Sequence, residues 1–224
     1  MKRDPDALTG REHDVLVIGG GIAGAWTVWE AASRGLRAAL VEMDDFGQAT
    51  SWSSLKTAHG GLRHLQRFDL AGFRESVAER RALLMVAPEI VRPLRFAVPS
   101  RGLIDGVKYT AGGILNDFLA RNANRDLRED RHIGETALLS ARDAPEGVLD
   151  ALGSTAAFLW WDAQITHTER LLMGLLHAAG AATEPAALLN RARLERVSPV
   201  EGGFELEIRD LVTQAWMDAQ AYRW

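Results

Sequence analysis

Six residues, Gly19-Gly20-Gly21-Ile22-Ala23-Gly24, restrict the fold of this 224-residue chain more than any other feature. They follow Val15 to Ile18, an apolar and mostly β-branched run that predicts a short strand buried on both faces, as in a parallel sheet. Ala25 to Arg34 then holds neither Gly nor Pro, apolar side chains recur at helical spacing (Ile22, Ala25, Val28, Trp29, Ala32), and Gly35 provides a stop. Leu36 to Val41 returns to a buried-strand pattern. The segment from Asp14 to Glu42 is therefore predicted to be one β-α-β unit with a right-handed crossover. In such a unit Gly19 permits the tight turn, Gly21 lets backbone N–H groups approach a pyrophosphate, and Gly24 lets helix and strand pack closely. The helix N-terminus stabilises the phosphate charge. Glu42, at the end of the second strand, can accept hydrogen bonds from a ribose 2′-OH and would repel a 2′-phosphate.

The loop that follows adds information that the glycine fingerprint lacks, because the fingerprint alone fits NAD and FAD equally. Residues 44 to 63 hold too many hydroxyl side chains and glycines for one regular element, which predicts a functional loop. Its hydroxyls and Lys56 can neutralise a pyrophosphate from the side opposite the helix. Gly60 and Gly61 can let main chain lie against a flat ring. These features suit a dinucleotide more enclosed than NAD usually is, with a simple solvated loop as the alternative. His59, alone among the histidines in a glycine-rich setting, can tune a ring's electronics, shuttle a proton or merely hold position. Arg63 can attract a phosphate, although an arginine beginning a helical segment is more commonly solvated or ion-paired. His13, His64, His132, His167 and His177 lack metal-ligand spacing and no carboxylate is expected to converge on them, so no metal site is expected.

Composition limits partners and location. Twenty-six basic against thirty acidic residues give a net charge of −4, with no general attraction for nucleic acid or anionic lipid. With no cysteine, disulfides, thiolate metal sites and a cysteinyl cofactor link are excluded, in keeping with a reducing compartment. The first fourteen residues mix both charge signs without an apolar core, and no run of about 18 apolar residues occurs, so neither a secretory signal nor a spanning helix is expected. A cytoplasmic protein, with peripheral contact at the inner membrane face allowed, is the expectation.

Leu70 to Val86 carries the clearest amphipathic pattern, with Phe73, Val77 and Leu84 on one face and Glu75, Glu79 and Arg80 elsewhere, which assigns it to packing rather than chemistry. Leu94 to Pro99 and Ala157 to Trp161 read as strands, separated by a Gly-containing turn, a helix near Ile114 to Leu119 and a charged loop from Arg121 to Arg131. Thr166 and Glu169 have capping-box spacing ahead of the stripe Leu171, Leu172, Leu175, Leu176, and Gly180 ends that helix. Leu194 to Val197 and the alternating Phe204, Leu206, Ile208 flank a turn at Glu201-Gly202-Gly203, the pattern of a hairpin with one solvated face. Trp216 to Trp224 has strand-like composition; Trp160, Trp161, Trp216 and Trp224 are expected to cover core or an interface, the last two being exposed instead if the chain is truncated.

The runs DVLVIGGGIAGA, LVEMDDF, ATSWSSLKTAHGGLRHL, ESVAERRALLMVAPEIVRPLRF and WDAQITHTERLLMGLLHAA resemble FAD-dependent glycerol-3-phosphate dehydrogenases across most of residues 13 to 213. The family's T-S-x-x-S-x-K-x-x-H-G-G-L-R-x-L pattern is met by Thr50, Ser51, Ser54, Lys56, His59, Gly60, Gly61, Leu62, Arg63 and Leu65, and residues 116 to 144 are similar to its shorter bacterial members. Trp52 and Leu55 depart from the small or hydroxyl residues usual there. The resemblance implies an α/β fold of the glutathione-reductase type: an FAD/NAD(P)-binding Rossmann-like domain with the start of an inserted α+β substrate domain. It divides the chain into 1–93, 94–162 and 163–224, the first and last binding FAD and the middle belonging to the substrate domain. It implies that Gly19, Gly20, Gly21, Ile22, Ala23, Gly24, Glu42 and Met43 hold the ADP half of FAD, that Thr50, Ser51, Ser54, Lys56, His59, Gly60 and Gly61 lie along the pyrophosphate and flavin, and that Leu194 sits near the adenine. It assigns no catalytic residue. The implied reaction oxidises sn-glycerol 3-phosphate to dihydroxyacetone phosphate and passes electrons to quinone or oxygen. Because the family continues beyond the point matched by Trp224, the expectation is a truncated N-terminal portion. The alternatives are a related flavin oxidase or dehydrogenase of an amine or hydroxy acid, and an inactive, self-associating FAD-binding fragment.

Overall fold

The computed structural model describes residues 3–65 and 67–222. In chain order the elements are α1 (Asp6–Thr9), β1 (Val15–Ile18), α2 (Ile22–Ser33), β2 (Ala38–Val41), β3 (Thr57–Ala58), α3 (Leu62–Leu65), α4 (Leu70–Val86), β4 (Val91–Pro99), α5 (Gly102–Leu119), β5 (Ala137–Ser140), α6 (Val148–Leu152), β6 (Ala156–Ile165), α7 (Thr168–Gly180), β7 (Ala187–Leu189), β8 (Ala192–Val200), β9 (Gly203–Asp210) and β10 (Trp216–Tyr222). They form two compact units, one of residues 1–54 with 167–224 and one of residues 55–166.

The first unit has three layers, and the two-residue period of its buried strands builds them. A parallel sheet in the order β1-β2-β7 pairs Val15 with Ala38 and Leu40 with Leu188. Ala38, Leu40 and Leu188 face α2 and α7, where they meet Ala25, Val28, Ala32, Leu172, Leu176 and Ala179. The alternate residues Ala39, Val41, Ala187 and Leu189 face the other way onto Leu206, Ile208 and Ala219 of an antiparallel meander, β10-β9-β8. Strand β2 is thus buried on both sides. The expectation of two-sided burial fails for β1, whose residues are half-buried or, at Ile18, exposed; it lies at the end of the described sheet. A segment containing α1 is tied to the meander by a bridge between His13 and Ala221 and by the Arg3–Asp210 ion pair at 2.8 Å.

The second unit is an antiparallel sheet in the order β3-β6-β4, with β5 also pairing β6. The ten-residue β6 runs well past the predicted Trp161 and pairs β4 along its whole length, Val91 opposite Ile165 and Pro99 opposite Ala157. Helix α4 packs on it through Leu84, which meets Val91 and Ala163, while Phe73 and Val77 pack against Leu119 and Ala123. The predicted Gly-containing turn after Pro99 is instead most of the 18-residue α5, which continues through Gly112 and Gly113. A Cβ on Gly113 would stand 2.5 Å from Thr136 Oγ1, so the glycine serves close packing rather than a turn. Helix α7 begins at Thr168, at the expected place, with His167 at its N-cap, and the Thr166 hydroxyl donates to the Ile90 carbonyl at 2.9 Å. The hairpin β8–β9 and the strand β10 form as predicted, Trp216 is exposed, and Trp224 lies outside the described residues. Among the described residues no helix is long and apolar enough to cross a membrane.

Candidate functional site

In the first unit the glycine run does what its spacing requires. Gly19 has φ +106°, its N–H donates to the Val41 carbonyl, and the direction a Cβ would take is open for 4 Å. A Cβ on Gly24 would fall 2.0 Å from the Gly19 carbonyl oxygen, so only glycine lets α2 approach β1 this closely. Gly21 is the N-cap of α2. The Ile22 N–H donates to Ser51 Oγ at 2.8 Å, and the Gly47 N–H donates to the Gly20 carbonyl at 2.9 Å. The loop after β2 therefore folds back over the start of α2 and places a hydroxyl oxygen where a phosphate oxygen is favoured. Glu42 accepts the Gly20 N–H at 2.7 Å and the Asp44 N–H at 2.7 Å, one on each carboxylate oxygen. Each oxygen retains a lone pair that a ribose hydroxyl can use. Met43, Thr50 and Ser54 are exposed beside this loop; Ile22 and Ala23 open α2. Leu194 pairs with Ile208 beside a bulge in β8, its side chain packed against the meander core. The open room above Gly19, the capped helix start and the Glu42 carboxylate fit the ADP portion of a dinucleotide.

The second unit contains an arrangement that the sequence reading missed. Asp162 of β6 is almost fully buried and collects four donors. The Gly60 N–H lies 2.6 Å and an Arg80 guanidinium nitrogen 3.3 Å from Oδ1, while His59 Nδ1 lies 2.9 Å and Trp160 Nε1 3.4 Å from Oδ2. Arg80, expected off the packed face of α4, is 4% exposed, because positions 73, 77, 80 and 84 share one face of the helix. It also donates to the Trp161 carbonyl at 2.6 Å. Burial pulls the Arg80 guanidinium below its ordinary value, and the Asp162 charge opposes that shift. The two glycines also have a packing reason of their own. A Cβ on Gly60 would meet an Arg80 nitrogen at 1.9 Å; one on Gly61, at φ +87°, would meet the Phe73 backbone at 3.1 Å. Both glycines are required by α4. Lys56 takes a left-handed φ of 58°, and its carbonyl accepts the Ile165 N–H.

The His59 side chain is 64% exposed and borders a cleft of about 1040 Å³ inside this unit. Arg63, His64, Lys108, Tyr109, Phe158 and Trp160 also line it. Tyr109 and Phe158 stack at 5.2 Å between centroids, and Phe158 and Trp160 at 6.2 Å, which makes one wall a continuous aromatic surface. A carboxylate does converge on His64, contrary to expectation: its Nδ1 lies 2.8 Å from Asp69 Oδ2, and Asp69 also caps α4 through the Gly72 N–H. That cap and then His64 hold the Asp69 carboxyl below its ordinary value. Among the described residues no group of three His, Asp or Glu could hold a metal ion. The missed residues were recoverable in part: Arg80 continues the spacing of Phe73 and Val77, whereas nothing local marks Asp162.

Residues 14–215 match the model of the FAD dependent oxidoreductase family, and the chain belongs to that family. It is 34% identical to a Caenorhabditis elegans protein named "Probable glycerol-3-phosphate dehydrogenase, mitochondrial", over 98% of this chain and 32% of that protein. It is 35% identical to the D-erythritol 1-phosphate dehydrogenase of Brucella abortus, over 88% of this chain and 37% of that protein. Its fold resembles the glycerol-3-phosphate dehydrogenase of Bacillus halodurans complexed with FAD, at a TM-score of 0.63 and 20% identity, covering 97% of this chain and 34% of that one. The chain spans about a third of the length of these relatives.

Proposed function

We propose that this chain supplies the nucleotide-binding portion and one proton-accepting group of an enzyme that oxidises the secondary hydroxyl of sn-glycerol 3-phosphate to dihydroxyacetone phosphate. The observation that carries this reading is His59, seated on a buried carboxylate beside a cleft that Arg63 and Lys108 also border. A ring nitrogen suits the hydroxyl proton and the two cations suit a phosphate. Kinship with dehydrogenases of two polyol phosphates supports the substrate class. The proposed FAD contacts are Gly19 to Gly24, Glu42, Met43, Thr50, Ser51, Ser54 and Leu194 in the first unit, and Lys56, His59, Gly60 and Gly61 in the second. When bound, FAD supplies the two-electron acceptor for the hydrogen leaving C2. His59 takes the hydroxyl proton; Gly19 to Ile22 and Ser51 orient the cofactor's diphosphate; Glu42 engages its ribose. Quinone or oxygen as final acceptor, a cytoplasmic location with peripheral membrane contact, and the division into 1–93, 94–162 and 163–224 belong to the same proposal. Anaerobic bleaching of the FAD-loaded chain tests it: glycerol 3-phosphate should reduce the flavin, and reduction only by an amino acid, by a hydroxy acid or by nothing offered would overturn it.

A further inference from the structure

The buried group around Asp162 controls what His59 can do. Resting on the reading of His59 as proton acceptor, we propose that Asp162, itself held by Arg80 and the Gly60 N–H, is a positioning residue that fixes the His59 ring in the tautomer with its proton on Nδ1. The donor inventory requires this. Asp162 Oδ1 faces the Gly60 N–H and a guanidinium N–H, and Oδ2 faces the Trp160 N–H, so the carboxylate acts only as acceptor toward His59. Nδ1 must then be the donor across 2.9 Å, which leaves the lone pair on Nε2, at the opposite edge of a ring that is largely exposed at the cleft. Arg80 has a second effect. Its positive charge balances Asp162 within the same buried space and holds the carboxylate in place as the acceptor for Nδ1. Gly60 makes the arrangement possible, since no side chain fits between its Cα and the guanidinium.

The same geometry fixes the outcome of one conservative change. In Asp162→Asn the amide oxygen must turn toward the two strong donors, Gly60 N–H and Arg80, which turns the NH₂ group toward His59 Nδ1. Nδ1 must then accept, and the proton moves to Nε2, the nitrogen needed free. The test is a long-range proton–nitrogen correlation spectrum of the full chain carrying ¹⁵N-labelled histidine, with His59 assigned by its loss in His59→Gln. Wild type should show a protonated Nδ1 and an unprotonated Nε2 at neutral pH, and Asp162→Asn should show the reverse. A wild-type His59 protonated on Nε2, or an even mixture of tautomers, would overturn the proposal without any variant. So would an unchanged tautomer in a folded Asp162→Asn chain. Should that variant fail to fold, the wild-type spectrum decides alone, since a proton anywhere but Nδ1 overturns the positioning role. These spectra need no turnover. Absence of glycerol 3-phosphate oxidation beside the expected tautomers would remove the substrate reading and leave the positioning role intact.

Discussion

Single atoms decide much of the second unit. Gly60→Ala would put a methyl group 1.9 Å from an Arg80 nitrogen, and displacing a buried guanidinium should cost about 1–3 kcal/mol or more, read as a lower urea midpoint at unchanged slope. Arg80→Ala should cost more, about 3–5 kcal/mol, because Asp162 would keep its charge in a buried place without its counter-ion. Gly112→Ala gives the contrast: nothing lies within 4 Å of its Cβ direction and α5 prefers alanine, so stability should rise by a few tenths to about 1 kcal/mol. His59→Gln tests chemistry instead of packing. With the ring exposed, folding should be little changed, while the rate of flavin reduction should fall about 10²–10⁴-fold in rapid-mixing measurements.

Among elements, the N-terminal segment with α1 has a pH response that follows from two residues. His13 is fully buried with Nε2 on the Leu8 carbonyl at 2.8 Å, and burial pulls it below its ordinary value of 6.5. The unfolded chain therefore binds this proton before the folded one does, and stability should fall as pH drops below 6.5. Burial alone would raise Asp210, but hydrogen bonds from Arg3 and from the Val212 and Thr213 amides outweigh it, so Asp210 stays ionised in the fold at pH values where the unfolded group is protonated. Its contribution is present above 3.8 and is lost as pH falls through the lower folded value. Urea midpoints from pH 7 to 5 should decline, and His13→Phe should flatten that decline while leaving the loss below pH 4. This response was not legible in the sequence, where His13 stands among polar neighbours. The β-α-β unit was legible because β-branched runs, helical spacing and glycine stops agree along the contiguous chain from Asp14 to Glu42. Helix α5 was misread because two adjacent glycines normally break helices, and only the distant Thr136 and Phe158 explain Gly113. Asp162 was invisible for a related reason: its partners come from α4 and from the loop after β3, about eighty and a hundred residues earlier.

At the scale of the whole molecule, ligand binding and folding are linked, and a chain that holds FAD only when folded should gain about 2.7 kcal/mol at a hundredfold excess over Kd. A calorimetric scan with and without FAD should show the rise, and Gly24→Val, whose side chain cannot fit beside the Gly19 carbonyl, should abolish it. The lock between position 60 and position 80 also bears on how such a molecule can change over generations. A methyl at 60 is obstructed while the arginine stands, and losing the arginine first strands the carboxylate. Each single step leads downhill, so descendants that differ here should have changed 60, 80 and 162 together or not at all, and the buried group that holds His59 is inherited as one block.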